Sequence, residues 1–139
     1  MPTFLNVLYD QDLNFLETLE DFWSLSVRGK DVRAKAETLA LALDNPLLIR
    51  EQLASLPPHV EAALKDLKNQ GCKTPWTAWT RDYGPLRPIG PGKRKREKPG
   101  LFPISTTEYL WYRGLLGRIF LKEDQSLTEF AFMPDEIAQ

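Results

Sequence analysis

Ser105 to Met133, STTEYLWYRGLLGRIFLKEDQSLTEFAFM, decides how the chain is read. Ser105 followed three residues later by Glu108 is a capping-box pattern, in which the serine oxygen accepts an orphan backbone N–H at a helix start and the glutamate reaches back. The helix it opens is short, because Gly114 offers an end. Leu116 to Leu121 then has strand character, Lys122 to Ser126 reads as a turn, and Leu127 to Met133 alternates as a second strand. A capped helix followed by a hairpin completes the order of a winged helix when two helices precede it.

The preceding residues supply them. Pro57-Pro58 restarts the chain, and Val60, Leu64 and Leu67 line one face of a helix that Gly71 can end in a left-handed cap. Pro75 suits the first turn of a brief helix carrying Trp76, Trp79 and Tyr83 and ending at Gly84. Trp76 and Trp79 are three apart on one face, so they read as core rather than as a stacking platform. Residues 57–139 are therefore expected to form a winged-helix-like domain. Pro134-Asp135-Glu136 resembles the first turn of a further helix, as in a fragment of a longer protein.

Residues 1–56 read as a helical segment. A short helix spans Leu5 to Tyr9, and Leu13, Leu16, Leu19 and Phe22 recur at three-residue steps between Asp12, Glu17, Glu20 and Asp21, giving an amphipathic helix over 12–23. Ser24 to Lys30 breaks the period as an extended link, and Val32, Ala36, Leu39 and Leu43 restart it. Asn45-Pro46, a capping side chain before proline at the first helical position, opens a short helix to Ala54. The expected class is mainly α with a small β-hairpin.

Between the two aromatic-rich helical segments lies Gly84 to Pro103, with five prolines and four glycines around the run Lys93-Arg94-Lys95-Arg96. So long a Pro/Gly-rich connection in a compact domain is usually functional or disordered, and it reads as a polyanion-facing loop. The charge distribution agrees: residues 1–72 carry 7 basic and 11 acidic side chains, 73–98 carry 8 and 2, and 99–139 carry 3 and 6. A near-neutral total of −1 thus conceals a basic middle flanked by acidic ends. Lys or Arg meeting phosphate releases condensed counterions and gives affinity without sequence preference. The alternative is a solvated loop that keeps the protein soluble. The candidate nucleic-acid contacts are Arg87, Lys93, Arg94, Lys95, Arg96 and Lys98, with Arg113 added from the helix that Ser105 opens. Thr106, Tyr109 and Arg113 are expected on its outer face, and it is the one helix suited to enter a groove. Glu108 in its first turn argues against that step, since a carboxylate there repels phosphate unless the capping box consumes it.

Catalysis has little support. The sequence has no nucleophile elbow, P-loop or HExxH, and its one histidine, His59, is expected to face solvent at a helix start. Cys72, the single cysteine, makes no internal disulfide and with His59 makes no metal cluster. The expectation is a non-enzymatic protein without cofactor or metal. No apolar run approaches the ~20 residues of a spanning helix and Met1 to Phe4 lacks the flanks of a signal peptide, so no membrane association and a cytoplasmic location are expected.

The segments Trp79 to Gly84, Arg87 to Glu97, Leu110 to Phe120 and Glu129 to Asp135, with Phe22-Trp23 and Leu56-Pro57, resemble a group of poorly characterised bacterial proteins similar to the helicase-associated N-terminal region of XPB-type helicases. The resemblance runs along nearly the whole chain. It implies a winged helix and a link to DNA transactions, whereas the ATPase motifs are missing and helicase activity does not carry over. Residues 1–43 also resemble, loosely, a SAP-type helix-extension-helix, although Glu17, Glu20 and Asp21 give that face the wrong sign for phosphate. A second expectation follows: an interaction module whose winged helix is scaffold and whose acidic N-terminal helices dock a protein partner.

Overall fold

The computed structural model describes residues 2–139. Helix starts are set by short polar side chains: Asp12 accepts from the Phe15 N–H at 3.0 Å and Asp31 from the Ala34 N–H at 2.7 Å, while Asn45 serves both Leu47 and Leu48. The resulting helices are α1 (Phe4–Leu8), α2 (Leu13–Trp23), α3 (Val32–Leu43) and α4 (Pro46–Ala54). α5 (Pro58–Asn69) follows, and Gly71 lies past its end at φ +83°. These elements agree with the sequence reading to within a residue or two.

The chain then forms β1 (Lys73–Pro75), α6 (Trp76–Tyr83), α7 (Pro91–Glu97), α8 (Thr106–Trp111), β2 (Gly117–Glu123), β3 (Ser126–Phe132) and α9 (Asp135–Ala138). The three strands make one antiparallel sheet ordered β1-β3-β2, in which Thr74 pairs with Ala131 and Ile119 with Phe130. The fold is mainly helical with a small sheet, and the run α5-β1-α6-α8-β2-β3 is compatible with a winged helix. The hairpin loop is tighter than the sequence suggests. Only Asp124 and Gln125 separate the strands, both at positive φ (49° and 66°), the two-residue geometry whose twist matches that of the strands.

One core joins the two segments. Phe15 of α2 meets the rings of Trp111 and Tyr112 at 6.3 and 6.0 Å, and Trp23 donates its indole N–H to the Arg113 carbonyl at 2.9 Å. Trp76 and Trp79 are buried, as expected, and Trp79 donates to Thr107 Oγ1 at 2.9 Å. The end of the chain closes on its beginning: Glu136 accepts from the Phe4 N–H at 3.1 Å, Asp135 donates its N–H to the Pro2 carbonyl at 3.0 Å, and Ile137 is buried in the core.

The segment 84–103 departs from the reading of it as a loop. Gly90 is extended and Pro91 takes the first helical position, so Pro91–Glu97 winds into α7 and stops where Lys98 turns left-handed at φ 50°. Pro99 and Gly100 are then buried, Gly100 against Phe22 of α2 and Tyr112. A Cβ on Gly100 would lie 2.8 Å from Cε2 of Phe22, so only glycine permits so close an approach.

Candidate functional site

The cations chosen from sequence divide into two sets. Glu108 is fully buried at the start of α8, and a buried carboxylate must be paired. Arg87 supplies the partner, with Nε 2.9 Å from one carboxylate oxygen and Nη2 2.9 Å from the other. The same carboxylate accepts from the backbone N–H of Arg87 at 2.9 Å and of Ile104 at 3.2 Å. Burial pushes the Glu108 carboxyl up, but the Arg87 side chain, these two N–H groups and the guanidinium charge outweigh it and hold the group below its usual range. Ser105 Oγ does accept from the Glu108 N–H at 3.0 Å, so half of the capping box forms, while the glutamate reaches Arg87 and Ile104.

Arg94 turns inward from α7 to pair with Asp12, the capping residue of α2, and its side chain is only 9 % exposed. Arg113 lies between two rings, 4.2 Å from the centroid of Phe22 and 3.7 Å from that of Tyr109, and donates to the carbonyls of Gly100 and Tyr109. Burial lowers its pKa. Arg87, Arg94 and Arg113 are therefore corrected from phosphate contacts to anchors: together they fasten segment 84–103 to α2 and α8.

Lys93, Lys95, Arg96 and Lys98 form the other set. All are exposed, and among the described residues none takes part in an ion pair. Lys93 and Arg96, three apart in α7, share a face, and Lys95 forms a second row with Lys98, the left-handed residue that ends the helix, along one cleft. Arg94 points between the rows into the protein.

The expectation that α8 enters a groove is also corrected. All six of its residues are buried or half-buried: Phe15 of α2 meets the Trp111 ring, the Arg113 guanidinium lies over Tyr109, and segment 84–103 covers Thr107 and Glu108. On the acidic N-terminal helices, Asp12 and Glu20 serve inside the fold: Glu20 meets Lys35 Nζ at 2.7 Å and accepts from the Val27 N–H at 2.8 Å. Glu17 and Asp21 stay exposed.

A cleft of about 430 Å³ lies between α2 and the end of α7, and sequence reasoning missed it. Its walls are Asn14, Thr18, Asp21 and Phe22 on one side and Lys95, Lys98 and Leu101 on the other. A polar stripe at 14, 18 and 21 beside Phe22 is the local signal that was available.

His59 is exposed and Cys72 is a free, half-buried thiol. Among the described residues no three His, Cys, Asp or Glu side chains gather as a metal site, and no helix is long and apolar enough to cross a membrane. Comparison with family models, curated proteins and solved structures returned no match to this chain.

Proposed function

We propose that the chain is a non-enzymatic, winged-helix-like protein that binds DNA through phosphate contacts from α7, with little sequence preference. The observation that carries this reading is the unpaired set Lys93, Lys95 and Arg96 on a helix, with Lys98 at its end, held in place by paired arginines. Four charges on an anchored helix and its cap lose less entropy on binding than four on a mobile loop. The resemblance read from the sequence to helicase-associated N-terminal regions, for which the comparisons give no match, is the ground for taking DNA as the polyanion.

Four phosphate contacts set the expected salt dependence. The slope of log K against log salt is about −3.6, so a labelled duplex loses roughly 100-fold in affinity between 50 and 200 mM salt. Changing Lys93, Lys95, Arg96 and Lys98 to Ser abolishes binding in a fluorescence anisotropy titration. Affinity indifferent to salt, or retained by the variant, refutes the reading. Absence of binding by both proteins moves the assignment to a protein-interaction module. That second reading is favoured by an apolar groove of about 670 Å³ lined by Ile49, Leu53, Leu64 and Ile137 between α4, α5 and α9.

A further inference from the structure

Three features converge beside the cationic helix. The cleft between α2 and α7 has an apolar wall of Phe22 and Leu101, polar groups from Asn14, Thr18 and Asp21, and the Lys95/Lys98 row along its other side. Its volume of about 430 Å³ lies within the range of small-ligand sites. Asp21 repels phosphate and accepts hydrogen bonds, which places a phosphate at the lysine side and a base edge at the α2 side.

The second feature is Phe102. It is 69 % exposed although its backbone is fixed at both ends: the N–H donates to the Lys98 carbonyl at 2.9 Å, and the carbonyl faces Arg87 Nη2 at 3.5 Å. An aromatic ring held open to solvent on an anchored turn, one helical turn from Lys98, is a ready stacking surface. The third is the covering of α8, which removes the helix that would otherwise read a duplex groove.

We propose that this site is selective for single-stranded nucleic acid, with one unstacked nucleotide entering the α2–α7 cleft and a neighbouring base stacking on Phe102. The inference rests on the phosphate-binding reading above and deepens it. In a duplex both bases are stacked and paired, so neither the cleft nor Phe102 gains a partner without unpairing. The four cations Lys93, Lys95, Arg96 and Lys98 serve both strand forms, whereas the apolar and polar walls of the cleft and the ring serve one.

The test compares a labelled single-stranded 15-mer with its duplex by fluorescence anisotropy, using the unaltered chain and two variants. Thr18→Trp fills the cleft, and Phe102→Ala removes the ring from an exposed position. The unaltered chain should bind the single strand about tenfold more tightly than the duplex. Each variant should lose most of that preference while its duplex affinity stays unchanged, with far-UV circular dichroism as the control for folding. Equal affinity for both forms, or a preference that survives in Phe102→Ala, overturns the inference and leaves the phosphate reading standing. Binding of neither form, including the case where the chain instead sediments with anionic phosphatidylserine vesicles, overturns both.

Discussion

Replacing Arg87 with Ala is expected to destabilise the fold far more than its place in a Pro/Gly-rich segment suggests. The variant leaves Glu108, fully buried, with two backbone N–H donors and no counter-charge. Breaking a buried ion pair from one side costs about 3–5 kcal/mol. The two surviving donors and the 29 % exposure of the Arg87 side chain put this case at the lower end, about 3 kcal/mol. For a chain of this size that is a fall in Tm of about 10 °C. In urea followed by tryptophan fluorescence it is a drop of about 1.5–2 M in the midpoint.

The pH dependence gives a second check with a definite sign. The folded pKa of Glu108 is lowered, so its contribution is present above the unfolded value of about 4.3 and is lost as pH falls through the folded value. The cost of Arg87→Ala should therefore be full at pH 7 and shrink below about pH 4, as the carboxyl is protonated in both states. A loss under about 1 kcal/mol at pH 7, or a loss of equal size at pH 3 and pH 7, refutes the argument. The same variant separates anchor from ligand contact. At a temperature where it remains folded, its salt slope for DNA should equal that of the unaltered chain.

Gly117→Ala should destabilise by about 2 kcal/mol or more in the same urea assay, because a Cβ there would lie 2.4 Å from Cζ of the buried Phe132 and 3.0 Å from Val7 Cγ2. Arg113→Lys should cost about 1–2 kcal/mol, since an ammonium keeps the charge but loses the planar stack between Phe22 and Tyr109. Its salt slope for DNA should be unaltered, and a slope reduced by about one would return Arg113 to the ligand-binding set.

The sequence discloses what local spacing can encode. Leu16 and Leu19 mark the buried face of α2, although Leu13 of the same series stays exposed, Asn45 and Ser105 mark their helix starts, and Trp76 and Trp79 mark a buried pair. β1 is illegible for the opposite reason. Three residues ending in proline show no period, and Lys73–Pro75 becomes a strand only because Phe130–Phe132 pairs with it. α7 is hidden because its stretch, PGKRKRE, carries no apolar stripe; what holds it is Asp12, 82 residues away from Arg94. Glu108 was visible as a cap but not as the partner of Arg87, since that pairing depends on the fold of the intervening 20 residues. The cleft is invisible for the same reason, being shared between 14–22 and 95–101.

The division of the basic segment follows from side-chain chemistry. The three cations drawn inward are all arginines, and each uses what lysine lacks: a side-on pair with a carboxylate for Arg87, a buried contact with Asp12 for Arg94, and a stack between two rings for Arg113. Three of the four left outside are lysines, compact charges on flexible stems that suit phosphate but impose little geometry. On the proposed function, a surface built this way would contact the backbone of a nucleic acid without reading base edges in a groove. For a duplex to reach α8 it would have to separate Arg113 from Phe22 and expose Glu108, a buried carboxylate, to phosphate. On the reading proposed here, selectivity therefore comes from strand form, through the cleft and Phe102, rather than from duplex sequence.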